Sequence, residues 1–342
     1  MVPLRLRDLL HVAHRDGASD IHIAPGARPA TRVHGRLRYL EGAPIEPAES
    51  AALLRTLLGD RRCGALVREH DVTGVWCDRE SGVAVRVHAY TASDGICIAL
   101  RLLRARAPSL DELGLPAEVA RLASCERGLI VLAGPTGCGK SSTLAALLAE
   151  IARARSCRIV TFEDPIEYRH ESDLSMFTQR EVGRDVESFA SAVLGALRAD
   201  PDVIAIGEMR DPATMRAALV AAETGHLVLT TLHTGTAAQT VDRVVDAFDG
   251  AERAYVRAQL AQSLAAVVCQ RLVARAPGGG RRPVVEVLVA NDAVRAMIRE
   301  GRVHQLGNAI MTARHEGMMT FAQHAGDLLA RREIDGEIAA RL

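Results

Sequence analysis

Residues 129–144 read Leu129-Ile-Val-Leu-Ala-Gly-Pro-Thr-Gly-Cys-Gly-Lys-Ser-Ser-Thr-Leu144. An apolar run breaks at Gly134 into a glycine-rich turn, and apolar residues then resume at helical spacing, so the stretch predicts strand, loop and helix in succession. The spacing Gly134-x-x-x-x-Gly139-Lys140-Ser141 in that context fits a loop whose backbone N–H groups cradle phosphates. In such a loop Lys140 neutralises phosphate oxygens and the Ser141 hydroxyl is offered to Mg²⁺. Gly134, Pro135, Thr136, Gly137, Cys138, Gly139, Lys140, Ser141 and the following Ser142 are therefore the candidate nucleotide-binding residues, and ATP with Mg²⁺ the expected ligands. A turn that merely saves space is the plain alternative. Against it stands residue 140 itself: of the 42 lysines and arginines in the chain, a single one is lysine, and it is Lys140. A compact ammonium reaching between phosphate oxygens is not replaced by a planar guanidinium.

Working outward toward the C-terminus, short apolar runs alternate with amphipathic helices, the pattern of a parallel sheet covered by helices. Strands are predicted at Leu129-Ile-Val-Leu, Arg158-Ile-Val-Thr-Phe, Val203-Ile-Ala-Ile and Leu227-Val-Leu-Thr, with helices beginning near Lys140, Glu187 and Pro212. Beyond Thr236 the chain reads as mostly helical, apart from a strand at Pro283-Val-Val-Glu-Val-Leu-Val after the Gly278-Gly-Gly turn. Ligand sites of open α/β sheets lie past the carboxyl ends of the strands. There the sequence places Glu163 in Thr161-Phe-Glu-Asp-Pro-Ile-Glu167, Glu208 in Ile206-Gly-Glu-Met-Arg-Asp211, and His233 in Thr231-Leu-His-Thr234. Glu163 suits a base that orients the attacking water, and Glu208 a carboxylate that holds Mg²⁺ through water or polarises the nucleophile. His233 is placed to report the γ-phosphate. His226 stands at the other end of the same strand, roughly 20 Å away, and reads as a packed or interfacial residue. Gly207 occupies the position where many such ATPases carry Asp.

Toward the N-terminus, residues 1–107 read as a smaller α+β domain. Leu4–Arg15 has helical spacing closed by Gly17; Ser19-Asp-Ile-His-Ile-Ala, Ala30-Thr-Arg-Val-His and Arg36-Leu-Arg-Tyr-Leu alternate as half-buried strands do, with turns at Pro25-Gly26 and Gly35. A helix is expected over Pro47–Leu58, then two strands, Val83–Tyr90 and Ile96–Leu102, joined through Ser93-Asp-Gly95. Residues 108–126, beginning Pro108-Ser-Leu-Asp-Glu-Leu-Gly-Leu-Pro116, predict an inter-domain linker with one helical turn, and 127–342 the nucleotide domain with its helical C-terminal region. Arg86 and Arg101 fall on the last two strands of the first domain; they are either solvated strand charges or arginine fingers reaching a nucleotide at an interface.

Composition narrows the class. Apolar residues make up 48% and charged residues 25%, as in ordinary globular chains, and no apolar run approaches the ~20 residues needed to cross a bilayer. Met1-Val-Pro-Leu-Arg-Leu-Arg-Asp is broken by charge at once and does not read as a secretory signal, so a cytoplasmic protein is expected. Seven cysteines without a CxxC pair argue against a disulfide framework and a structural zinc site. A net charge of zero and 3% aromatics leave little to track phosphates or stack bases, which disfavours a nucleic-acid motor. A non-hydrolysing nucleotide sensor or scaffold is a further reading, to which Gly207 lends support.

Along nearly the whole chain these motifs resemble the secretion-type hexameric ATPases, and among them the type IV pilus retraction, or twitching motility, family. Ser19-Asp-Ile-His-Ile and Arg32-Val-His-Gly-Arg36 are similar to the opening of that family's PAS-like N-terminal domain, and Pro108–Pro116 to its linker. Thr161–Glu167 resembles its Asp box, Ile206–Asp211 its Walker B, and Ala221-Ala-Glu-Thr-Gly-His through Thr231-Leu-His-Thr its His box. Ala293-Val-Arg-Ala-Met-Ile-Arg-Glu300 resembles the AIRNLIRE helix associated with retraction, with Ala296-Met297 in place of Asn-Leu. Assembly and type II secretion ATPases usually carry an additional N-terminal domain and a tetracysteine zinc insertion, and this chain is expected to have neither. Two further departures stand out. Cys138 replaces the usual Ser, adding a thiol that oxidation could block, and His88-Ala-Tyr-Thr-Ala-Ser-Asp lacks the family's Asn and Gln/Asn-Arg-Gly run. The resemblance implies a RecA-like P-loop ATPase domain behind a PAS-like domain, a homohexamer with nucleotide between the two domains, and rotation driven by ATP hydrolysis. It also implies action on an integral platform protein at the inner face of the cytoplasmic membrane, which dismantles the pilus; an assembly or accessory paralogue is the alternative within the family.

Overall fold

The computed structural model describes residues 4–33, 36–78, 83–103, 106–276 and 279–342. The turns expected at Gly35 and Gly278 lie outside them. Two compact units are present, one of Met1–Arg106 with Pro165–Arg169 and one of Ala107–Asp164 with His170–Leu342.

The first unit runs α1 (Leu4–Arg15), β1 (Asp20–Ile23), β2 (Ala30–Val33), β3 (Arg36–Tyr39), α2 (Pro47–Glu69), β4 (Asp71–Cys77), β5 (Ala84–Ala92) and β6 (Gly95–Leu103). Its strands form an antiparallel sheet in the order β3-β2-β1-β6-β5-β4. Alternation decides which face is buried: Ile21, Ile23, Val85, Val87, Ile98 and Leu100 pack against Leu6, Leu9, Leu10, Leu53, Leu54 and Leu57 of the two helices. Ala92 pairs with Gly95 at φ 127°, closing β5 and β6 through a two-residue turn. Two elements differ from expectation. The helix over Pro47–Leu58 continues past an interruption at Gly59 to Glu69, and β4 follows it. A Cβ at Gly74 in β4 would lie 2.6 Å from the Leu58 side chain, so glycine admits the close helix–strand contact at the cost of the strand signal.

The second unit runs α3 (Leu110–Leu113), α4 (Ala117–Ala120), β7 (Gly128–Ala133), α5 (Lys140–Ala154), β8 (Arg158–Glu163), β9 (Met176–Glu181), α6 (Phe189–Ala196), β10 (Val203–Ile206), α7 (Pro212–Glu223) and β11 (Leu227–Leu232). It continues with α8 (Ala237–Asp246), α9 (Gly250–Ser263), β12 (Leu264–Ala274), β13 (Arg281–Val289), α10 (Asp292–Arg299), α11 (Leu306–Thr312), α12 (Phe321–Ala330) and α13 (Gly336–Ala339). The seven strands lie in the order β13-β12-β7-β11-β10-β8-β9, parallel except for the β12/β13 pair. Every residue of β7, β10 and β11 is buried, as parallel strands covered on both faces require.

The region after Thr236 is less helical than its sequence suggests. β12 is an 11-residue strand alongside β7, on the side opposite β11. Its continuous run of Leu, Ala and Val follows α9 without a breaker, and burial on both faces removes the alternation that would mark a strand. The residues after Ala107 pack as part of this unit: Leu110, Leu115, Val119 and Leu122 share a core with Leu144, Leu147 and Ile151 of α5. Ser109 starts α3 with a capping box, its hydroxyl accepting from the Glu112 N–H at 3.1 Å and its own N–H donating to the Glu112 carboxylate at 2.8 Å.

Candidate nucleotide site

The order of the strands dictates what meets at their carboxyl ends. β11 lies between β7 and β10, with Leu232 beside Ala133 and Thr230 beside Ile206. One residue further on, His233 leaves the sheet between the loop that follows β7 and the Gly207-Glu208 turn that follows β10. The side chains meet accordingly. Lys140 Nζ donates to the carbonyls of Gly134 at 2.7 Å and Pro135 at 3.0 Å, and lies 3.4 Å from His233 Nδ1. His233 Nε2 is 3.0 Å from Glu208 Oε1, and Glu208 Oε2 is 2.8 Å from Arg210 Nη2. A neutral imidazole protonated on Nε2 satisfies this chain: it donates to the carboxylate and accepts from the ammonium.

The charges are tuned by burial and by each other. Burial lowers the pKa of Lys140, with the nearby Cys138 and Glu208 pulling the other way. Burial also opposes ionisation of Glu208, yet the Arg210 hydrogen bond, the His233 contact and the Arg210 charge outweigh it and hold the carboxyl below its usual range. Glu208 is thus a carboxylate at neutral pH, able to accept hydrogen bonds or face a cation.

Glu163, at the end of β8, has its Oε1 fixed by the Thr161 hydroxyl at 2.7 Å and by Gln179 Nε2 at 3.0 Å. Gln179, on β9, in turn accepts from the His170 N–H through its Oε1 at 3.0 Å. β8 adjoins β10, with Phe162 beside Ile206, so Glu163 emerges next to Gly207. A Cβ at Gly207 would lie 3.3 Å from the Phe162 carbonyl oxygen and 3.4 Å from Glu163 Cα. A side chain at Gly207 would press on the end of β8, which would have to give by a few tenths of an ångström to admit it.

The loop itself is shaped by β12. Gly134 has φ 145° and Gly139 φ 95°, and a Cβ on the first would fall 2.3 Å from the Gln270 carbonyl oxygen, on the second 2.8 Å from Gln270 Nε2. Pro135, Thr136 and Gly137 form the exposed apex; Ser141 is exposed on the first turn of α5 and Ser142 is half-buried. Cys138 is buried, and burial pushes its thiol pKa up against the pull of Lys140, so it lacks the exposed, low-pKa thiolate that ready oxidation needs.

Arg86 and Arg101 face each other across β5 and β6, and Asp20 of β1 is the next residue in the same row. Arg101 Nε donates to Asp20 at 2.9 Å and Arg86 donates to Glu167. Two arginines directly opposite repel, and the two acids are the counter-charges that make the row tolerable. His226 lies at the amino end of β11, its Nδ1 within 3.1 Å of the Thr224 hydroxyl and 3.0 Å of the Ala221 carbonyl at the end of α7, apart from the Lys140–His233–Glu208 chain. Three contributors escaped the sequence reading. Arg210 was visible beside Glu208 without a role, Gln179 sits on a strand that was not foreseen, and Gln270 is a lone amide in the apolar run of β12. Among the described residues no cluster of three or more His, Cys, Asp or Glu side chains could hold a metal.

A glycine-cradled loop between strand and helix, an anchored lysine and carboxylates at neighbouring strand ends define a P-loop ATPase. The chain belongs to the type II/IV secretion system protein family, whose sequence model matches residues 2–278. It is 40% identical over 335 residues to the type IV pilus retraction ATPase PilT of Pseudomonas aeruginosa, covering 98% of this chain and 96% of that one. It is 39% identical over 313 residues to a twitching motility protein of Neisseria gonorrhoeae, covering 92% of this chain and 83% of the relative. Its fold matches the crystal structure of the pilus retraction motor PilT with bound ADP at a TM-score of 0.90 and 38% identity, over 99% of this chain and 97% of the other.

Proposed function

We propose that this chain is the motor ATPase of type IV pilus retraction, converting ATP hydrolysis into disassembly of the pilus. The observation that carries the hydrolytic part is the Lys140–His233–Glu208 chain at the carboxyl ends of β7, β11 and β10. Two named relatives, matched over 96% and 83% of their lengths, point to retraction and twitching.

In this reading the amides of Gly134–Gly139 cradle the phosphates of ATP and Lys140 neutralises their oxygens. Glu163, oriented by Thr161 and Gln179, accepts a hydrogen bond from the attacking water and aligns it with the γ-phosphorus. Glu208 stays ionised and polarises that water. His233 joins the lysine that faces the γ-phosphate to the carboxylate that faces the nucleophile, so the phosphate state alters its hydrogen bonds. Mg²⁺ fits the donor set: the exposed Ser141 hydroxyl and, through water, Glu208 would hold it, with the phosphates completing its shell. Bound there, Mg²⁺ supplies charge neutralisation to the β- and γ-phosphates.

The paired arginines Arg86 and Arg101 present two positive charges on one face of the first unit's sheet, suited to a nucleotide at an interface. The working assembly is a homohexamer in the cytoplasm, held at the inner face of the cytoplasmic membrane by a platform protein of the pilus machinery. No helix among the described residues is long and apolar enough to cross a membrane. A ligand shifts a conformational equilibrium only by binding one state better, and the γ-phosphate is the group that ATP has and ADP lacks to provide that difference. Deletion of the gene tests the assignment: loss of twitching with surplus surface pili supports retraction, whereas loss of the pili themselves identifies an assembly ATPase.

A further inference from the structure

Gln270 lies on β12, outside every motif that marks the nucleotide site, with 5% of its surface exposed. Its amide touches the loop at two places. Nε2 donates to the Cys138 carbonyl at 2.6 Å, and Oε1 accepts from the Thr143 hydroxyl at 2.8 Å, in the first turn of α5. The orientation of a side-chain amide follows from such partners, and Thr143 fixes which end of Gln270 faces the loop.

We propose that Gln270 is a positioning residue of the nucleotide site, turning the Gly139 amide N–H toward the phosphates by holding the Cys138 carbonyl against β12. The peptide between Cys138 and Gly139 is planar and trans, so its C=O and N–H point in opposite directions. With the carbonyl drawn toward Gln270, the N–H of Gly139 faces the opposite side, into the loop. Gly139 must be glycine for the amide to come this close: a Cβ there would lie 2.8 Å from Gln270 Nε2. A neutral amide suits the place because it donates to the carbonyl and accepts from the hydroxyl, leaving no buried charge. The inference rests on the loop being the phosphate site.

Because the Gly139 N–H meets phosphate in the ground state and in the transition state alike, its loss removes uniform binding. Gln270→Met keeps the side chain's length and removes both hydrogen bonds. Its Kd for ADP, followed by calorimetric titration, and its KM for ATP should rise together by about tenfold, with kcat within about twofold of wild type. Thr143→Val, which frees the amide to flip, should move both constants the same way by about threefold, and serves if the Met variant does not fold. A purely structural role would lower the melting midpoint and the active fraction and leave Kd and KM where they were; that result overturns the proposal. Lys140→Ala separates the two levels. If it binds ADP as wild type does, the site reading fails; if it loses ADP while Gln270→Met and Thr143→Val retain it unchanged, only the role of Gln270 fails.

Discussion

Alanine at Gly134 and alanine at Gly137 should differ sharply, although both glycines have positive φ and both lie in the same loop. At Gly137 (φ 78°) a Cβ meets nothing within 4 Å, so the cost is that of a left-handed backbone, about 1–2 kcal/mol. At Gly134 (φ 145°) the Cβ would lie 2.3 Å from the Gln270 carbonyl oxygen and 2.7 Å from Cys138 Sγ. The first of these atoms belongs to the backbone of β12, clamped between β7 and β13, and cannot retreat. Strain of about 1–3 kcal/mol and overpacking of about 1–3 kcal/mol then add to about 4 kcal/mol. For a unit of this size, thermal unfolding followed by differential scanning fluorimetry without nucleotide should show Gly134→Ala lower by about 8–16 °C and Gly137→Ala by about 3–6 °C. Equal shifts, or a larger one for Gly137→Ala, would refute the argument that β12 shapes the loop.

Other consequences follow from the site and the core. Gln179→Leu releases Glu163 Oε1 from its hydrogen bond with Gln179 Nε2, so kcat should fall about tenfold while the Kd for ADP is unchanged; an unchanged kcat contradicts the orienting role. His170, stacked on Phe177, and His324, whose Nδ1 accepts from the Val285 N–H, are each held by burial at a pKa of about 4. The unfolded chain takes up these protons near pH 6.5 and the folded chain does not, so the stability is full above pH 6.5 and is lost as pH falls toward 4. At pH 5 each histidine should cost about 2 kcal/mol, and His324→Leu should show a correspondingly shallower fall in melting midpoint between pH 7 and pH 5; an equal slope in both proteins removes His324 from the account. Arg101→Ala should lower ATP turnover of the assembled ring at least tenfold with ADP affinity nearly intact, as loss of an arginine finger does; full turnover would return Arg101 to a solvated strand charge paired with Asp20.

What the sequence revealed and what it hid have physical causes. β7, β8, β10 and β11 are short apolar runs ending in or followed by Gly, Glu or His, and those endings stop the strands on one edge of the sheet, so the placing of Lys140, Glu163, Glu208 and His233 at neighbouring strand ends was legible in the sequence. β12 was hidden because burial on both faces erases alternation, and β9, half-exposed at the sheet edge with Thr, Gln and Arg, never looked apolar. Their loss concealed Gln270 and Gln179, which act through hydrogen bonds to atoms far away in sequence, a relation no spacing encodes. Gly207 reads in the sequence as a missing carboxylate; that a Cβ there would press on the end of β8 is a contact between strands that no spacing encodes.

The central claim is that Lys140, His233 and Glu208 form one hydrolytic site. Steady-state phosphate release from the purified, assembled protein tests it most directly. Lys140→Ala and Glu208→Gln should each lose about 100-fold or more of wild-type turnover, with Glu208→Gln still binding ATP. Wild-type turnover in either variant would contradict the claim.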